Sequence, residues 1–216
     1  MPRAVDHAQR RADVARAART VIAREGLSGA TVRRVAAELG GSTTAVTHYF
    51  ASRDELLRAA VEDAYSTAAA RMAAAAEAAA ENGALAMLAA ALEQALPIDR
   101  PARDEARIWI AFWASAVVSD ELRRVQRRGY TAGLTLLQGV LREAAGQNEL
   151  AAGAGPEHEA ERLLLFVDGL TIEATLDPER FTADRQRPLL AAEIARLRAD
   201  RWPPRPELDS NQRPSP

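Results

Sequence analysis

The sequence predicts an all-α protein, and three observations predict it. Alanine, leucine and arginine dominate; strand-like alternation of apolar and polar residues is scarce; and apolar residues recur at helical spacing from end to end. The 216 residues leave room for one large unit or two modest ones with a sizeable core. The pattern divides into an N-terminal three-helix unit of the helix-turn-helix type and a larger helical body.

Val14, Ala18, Val21 and Ile22 lie at i, i+4, i+7 and i+8, the apolar face of a first helix that is expected to stop near Gly26. Val32, Val35, Ala36 and Leu39 repeat the pattern in a short second helix, opened by Thr31 and closed by Gly40 and Gly41. Ser42 caps a third helix that turns Ala45, Val46, Tyr49 and Phe50 inward. Ser52 and Glu55 have capping-box spacing and open a long helix from Arg53 to about Asn82, with Asp54 and Glu55 at its positive end. Five more helices are expected at about 84–96, 102–118, 120–146, 157–176 and 184–200. Pro97, Pro101, Gly146, Pro156 and Pro178 punctuate them. The segment 203–216 holds five prolines and little that is apolar, and reads as a disordered tail.

Charge sharpens the division. All 28 basic residues are arginine, which reflects a GC-rich genome more than a mechanism. Residues 1–58 carry ten arginines against six acids, a net +4; residues 59–216 carry 18 against 24, a net −6. A basic front end on an acidic body suits a polyanion contact, although an excess of four is small. There is no cysteine, so disulfides and thiolate metal sites are excluded; the three histidines, His7, His48 and His158, lack ligand spacing. Neither metal nor cofactor is expected. No apolar run approaches the ~20 residues that span a bilayer, and the polar start does not fit a secretory signal, so a cytoplasmic location without membrane contact is expected.

Residues 31–50 set two short helices in tandem across a glycine turn, the arrangement that places a second helix in the DNA major groove. Val35, Leu39, Val46 and Phe50 are the apolar positions that would lock the pair. Thr43, Thr44, Thr47 and His48 face outward, short groups able to hydrogen-bond base edges or to set a methyl against thymine. The helix N-termini at Thr31, Ser42 and Arg53 offer backbone N–H groups to phosphates. Periodicity alone serves equally three ordinary amphipathic helices with solvated threonines.

The stretch GGSTTAVTHYFASRDEL (40–56), with IAREGLSGATVRRVAAELG (22–40) before it, resembles the signature of the TetR family of bacterial repressors over roughly residues 8–58. That resemblance implies a DNA-binding domain at 1–58 and a ligand-binding and dimerisation domain at 59–202. It also implies a palindromic duplex as partner, release by a small-molecule effector, and a homodimer through the last two long helices. Carried over position by position, Thr31, Tyr49 and Arg53 are implied phosphate contacts. Arg33, Thr43, Thr44, Thr47 and His48 are implied base or near-base contacts, with Arg33 the candidate for a guanine. Three departures stand out. Gly41 replaces a branched apolar residue, Thr44 stands where glycine is frequent, and Thr47 where tyrosine is common. The operator therefore does not transfer from a relative.

In the body, two of the three tryptophans fall within five residues, and Trp109, Phe112, Trp113 and Ala116 share a helical face. Large aromatics against small alanines either wall a cavity or fill the core. Tyr130, Leu134, Leu137 and Leu141 on the next helix offer an opposite wall. The helix over 163–174 is apolar almost all round, with Gly169 in its middle, where close helix approach is expected. Leu189, Leu190, Ile194 and Leu197 continue the stripe on the last helix, and two such helices per subunit would make a four-helix interface. Trp109, Trp113 and the run 166–170, followed by Asp177-Pro178, resemble the C-terminal domain of the choline-responsive BetI-like branch. Asp168 and Glu173 are acids in an apolar helix. Each either balances a cationic effector or pairs with an internal arginine such as Arg107 or Arg162.

Nothing in the sequence resembles a phosphate loop, a His-Glu-x-x-His zinc motif or a nucleophile elbow, so no enzyme is expected. A purely structural helical module would leave the threonine-rich outward face and the basic front end without a purpose.

Overall fold

The computed structural model describes residues 2–198 apart from residue 152, with side chains from His7 onward except that of Arg53. Among the described residues nine α-helices follow one another: α1 (Pro2–Gly29), α2 (Val32–Leu39), α3 (Thr43–Tyr49), α4 (Arg53–Ala78), α5 (Ala84–Glu93), α6 (Arg100–Val118), α7 (Asp120–Gly146), α8 (Pro156–Leu176) and α9 (Ala183–Arg196). A single 3-10 turn, Ala80–Asn82, joins α4 to α5, and one isolated bridge pairs Leu150 with Arg198. The fold is all-α.

The boundaries follow local chemistry. The first helix breaks at Gly26 (φ 73°, ψ 175°), and one further turn runs on to Gly29. That backbone conformation suits a residue without Cβ. The fifth helix ends at Glu93, three residues short of expectation, because the chain turns there to bury Leu96 ahead of Pro97, which has no N–H to extend a helix. The sixth begins at Arg100 because Asp99 caps it, its carboxylate accepting from the Ala102 N–H at 2.8 Å, with Pro101 in the first turn. Glu149, distant in sequence, caps α5 by accepting from the Ala84 and Leu85 N–H groups at 2.8 and 2.9 Å. The expected end of the last helix at 200 and the segment 203–216 lie outside the described residues.

Three apolar clusters hold the elements. The first joins α1 to α4 around Val14, Ile22, Val35, Val46, Phe50 and Leu56, and takes in Ile108 from α6. The second packs α5, α7, α8 and α9 around Leu88, Leu92, Leu141, Leu163 and Ile194. A smaller third cluster, Val61, Phe112, Ala116, Leu122 and Val125, lies between α4, α6 and α7. Each fully buried Leu, Ile or Phe contributes about 1.5–3 kcal/mol. Ile108 ties the two parts together: α6 lies in the body, yet this residue is anchored in the core of the N-terminal unit.

Candidate nucleic-acid interface and sensor core

The N-terminal unit is built from caps inward. The Thr31 hydroxyl accepts from the Arg34 N–H at 3.3 Å and so starts α2. Gly40 stops it in the left-handed region (φ 68°), with the Gly41 N–H donating back to the Ala36 carbonyl at 3.0 Å. The Ser42 hydroxyl accepts from the Ala45 N–H at 3.2 Å and starts α3. Val35 and Val46 are wholly buried where the two helices cross, which fixes their angle. Ser52 accepts from the Glu55 N–H at 3.1 Å, while the Glu55 carboxylate reaches back to the Ala51 N–H at 3.0 Å. This capping pair fixes where α4 begins.

What remains outside is one polar surface. Thr31, Arg33, Ser42, Thr43, Thr44, Thr47 and His48 are exposed, and Tyr49 is half-buried at its edge. Arg53 opens α4, and its side chain is outside the described set. The Thr47 hydroxyl donates to the carbonyls of Thr43 and Thr44 at 3.2 and 3.3 Å. Its hydrogen is therefore engaged, and it presents a methyl and an acceptor outward. Neighbouring arginines are committed to fastening helices: Arg24 meets Glu38 at 2.6 Å and Arg34 meets Glu25 at 3.3 Å. Arg33 has no ion pair among the described residues, and its guanidinium stays available for a base or a phosphate.

The structure adds a residue that sequence patterning missed. His7, two turns before the first buried position of α1, packs against Tyr49 with ring centroids 4.8 Å apart and lies 6.0 Å from His48. His48 and Tyr49 are themselves 5.0 Å apart. Contacts across 41 residues leave no mark in local periodicity.

In the body, the aromatic row of α6 faces α4 and the start of α7. Tyr65 of α4 lies against Trp109 at a tilt of 55° (centroids 4.4 Å) and meets Phe112 edge-on at 6.4 Å. The Tyr65 hydroxyl and the Trp113 indole N–H both donate to the Gln126 side-chain oxygen, at 2.8 and 3.0 Å. Gly129 lets Tyr65 approach, since a Cβ there would stand 2.5 Å from the ring. Local periodicity singles out neither Tyr65 nor Gln126. A signal for Gln126 exists, however: α6 and α7 form an antiparallel hairpin at Ser119, and Trp113 and Gln126 lie six and seven residues on either side of it.

Asp168 of α8 is mostly buried, and desolvation pushes its carboxyl up to about 6. Burial, and then the charge of Asp168, raises the Tyr65 hydroxyl; burial followed by Glu161 and Asp168 raises that of Tyr130. The arginines considered as partners for Asp168 are engaged elsewhere. Arg107 pairs with Asp104 at 3.0 Å, and Arg162 with Glu159 and Glu193. Asp168 has no ion pair among the described residues. Trp109, Phe112, Trp113, Ala116 and Tyr65 are thus brought together, with Asp168 and Tyr130 in electrostatic reach. Leu134 and Leu137 turn instead onto the α5–α8–α9 cluster, and Glu173 is exposed on the outside of α8.

A cleft of about 110 Å³ opens nearby, where Arg71 holds Glu105 at 2.9 Å beside Gln94, Asp99 and Ala102; none of the aromatic row lines it. On the outer faces of α8 and α9, Leu165, Leu176 and Leu189 are exposed, and a Cβ at Gly169 would meet nothing within 4 Å. No described helix is long and apolar enough to cross a membrane.

Residues 14–60 match the family model for bacterial regulatory proteins of the tetR family, and residues 84–199 the model for the C-terminal part of BetI-type transcriptional repressors. The chain is 34% identical over 188 residues to the HTH-type transcriptional regulator PksA of Bacillus subtilis (strain 168), covering 86% of this chain and 88% of that one. It is 29% identical over 191 residues to the regulator BetI 2 of Chromohalobacter salexigens, covering 87% of each. Among solved structures, a transcriptional regulator from Rhodococcus sp. Rha1 superposes with a TM-score of 0.74 at 30% identity, over 86% of this chain and 94% of that one. A regulator from Saccharomonospora viridis, solved in complex with choline, shares the fold with a TM-score of 0.78 at 23% identity, over 87% of this chain and 96% of that one.

Proposed function

The chain belongs to the TetR family of bacterial transcriptional regulators, with a BetI-type C-terminal domain, and from that premise we propose how its parts divide the work. Residues 1–58 read a palindromic operator, and residues 59–202 bind the effector and dimerise, in the cytoplasm. The observation that carries the DNA reading is the exposed surface of Arg33, Thr43, Thr44, Thr47 and His48 on two helices whose crossing is fixed by buried Val35 and Val46. Bidentate Arg33 suits a guanine, and the methyl of Thr47 suits a thymine. Tyr49, Thr31, Ser42 and Arg53 set the register on phosphates.

The effector is an organic cation. A cation is the ligand that a buried, unpaired carboxylate beside aromatic faces favours, and Asp168 with Tyr65, Trp109, Trp113 and Tyr130 supplies both. The exposed apolar residues of α8 and α9 supply the homodimer interface, which sets two recognition helices about one DNA turn apart. Ligand displaces the aromatic row; α6 carries Ile108 into the core of the DNA unit, so the shift changes the spacing and releases the operator. The release is only as large as the ligand's preference for the released state.

The test is titration of the protein–operator complex with choline and a panel of other quaternary ammonium ions, followed by fluorescence anisotropy, with neutral isosteres as controls. Cations release wild-type protein and do so at least tenfold less effectively for Asp168→Asn. Release by the neutral isosteres at the same concentrations would overturn the cation reading.

A further inference from the structure

His7 lies outside the segment that matches the family model, which starts at residue 14. Its turn of α1 nevertheless leans on the recognition helix. Its ring meets Tyr49 at 4.8 Å and stands 6.0 Å from His48, and both imidazoles are exposed. The half-buried Tyr49 ring, edge-on to both, holds the two imidazoles close together.

The charged and titratable groups nearest in sequence on the elements that meet here are Arg10 and Arg11 on α1, Tyr49 itself on α3, and Asp54 and Glu55 on α4. Arg11 is turned away, 4.7 Å over the Phe50 ring and 3.4 Å from Glu55, and Glu55 is further held by the Ala51 N–H. Among the described residues no carboxylate pairs with either imidazole. Protonation of the pair in the free protein therefore brings two cations together without a counter-charge, whereas a phosphate laid across them would supply one.

We propose that the His7–His48–Tyr49 cluster is a proton-linked contact to the operator backbone: the first turns of α1 extend the DNA interface beyond the helix-turn-helix, and the two imidazoles bind phosphate as imidazolium. This rests on the DNA-binding reading and adds to it a third element and a pH dependence. Imidazolium donates from both ring nitrogens, and its ordinary titration range lies across physiological pH. DNA binding takes up protons at this cluster, so affinity falls as pH rises. An imidazole whose protonation a phosphate favours tenfold makes affinity fall about sixfold between pH 6 and pH 8; two this close titrate as a coupled pair, and together they make it fall more steeply than either alone. Each imidazolium also adds a released counterion, steepening the slope of log affinity against log salt by about 0.9 at pH 6 but not at pH 8.

The experiment measures dissociation constants by anisotropy at pH 6, 7 and 8 and at three salt concentrations, on a duplex selected from a random pool. Wild type is compared with His7→Gln, His48→Gln and the double variant, with the melting temperature of each recorded. The expected result is a fall of about sixfold in each single variant between pH 6 and 8, a steeper fall in wild type, and little change in the double variant. A wild-type affinity that is flat with pH, or a fall that persists undiminished in the double variant, overturns the proposal while leaving the DNA-binding reading intact. Failure of the wild type to bind any selected duplex at any pH would instead sink the reading on which the proposal stands.

Discussion

Asp168→Asn is expected to stabilise the effector-free protein at neutral pH, and the size of the gain follows from the burial of that carboxyl. Desolvation raises it from the model-compound value of 3.8 to about 6. A carboxyl whose folded value lies above its unfolded value stabilises the fold when protonated, and that stability is lost as pH rises through the folded value. The shift of about two units corresponds to about 3 kcal/mol at 1.36 kcal/mol per unit, present as a penalty above pH 7 and reduced to about 1 kcal/mol at pH 4.5. Asparagine keeps the shape and cannot ionise. Urea unfolding of both proteins at pH 7.5 and 4.5, with choline and other cations absent, reads the difference directly. The other carboxylates titrate alike in the two proteins and cancel. A variant no more stable than wild type at pH 7.5, or a difference that grows toward acid pH, would refute a buried carboxylate lacking a counter-ion.

Other substitutions test the packing and the interface. Gly129→Ala pushes a Cβ to 2.5 Å from the Tyr65 ring and is expected to cost about 1–3 kcal/mol in urea unfolding, whereas Gly133→Ala, inside the same helix with nothing within 4 Å, should stabilise by about 0.5–1 kcal/mol. Glu149→Ala leaves the Ala84 and Leu85 N–H groups without their acceptor and should lower stability by about 1–2 kcal/mol, read by thermal melting. Gly41→Ala should stabilise by about 0.4–1 kcal/mol, because the new Cβ meets Leu39 and Ala45 at ordinary distances of 3.8 and 4.0 Å and the unfolded chain loses freedom. Arg33→Ala should lose about 1–3 kcal/mol of operator binding and relax one base position in a selected pool, whereas a phosphate contact would weaken all sequences alike.

The N-terminal unit was legible because its information is local. Thr31, Ser42 and Ser52 announce helix starts three residues before the N–H groups they satisfy, and Gly40 announces a stop that needs a left-handed residue. The outward face then follows by subtraction from buried Val35, Val46 and Phe50. The sensor core was legible only on its own helix. The row Trp109, Phe112, Trp113 and Ala116 is one face of α6, but what it meets is decided by how α4 and α7 pack, over separations that periodicity does not record. Tyr65 meets Gln126 across 61 residues. Leu134 and Leu137 continue the apolar stripe of α7, yet only the start of that helix faces α6; by Leu137 the hairpin has carried α7 onto α5 and α8. The isolation of Asp168 is open in the sequence as well, since it depends on Arg107 and Arg162 each pairing with another acid.

Paired α2–α3 surfaces are proposed to read DNA in a sequence-specific way. Selection of bound duplexes from a random pool with purified protein, at moderate salt and with no added effector, tests it most directly. The expected result is an enriched palindrome whose half-sites lie about one helical turn apart, bound at least about 10³-fold more tightly than random sequence. A pool that stays unenriched after repeated rounds, with selected and random duplexes bound equally, would contradict it.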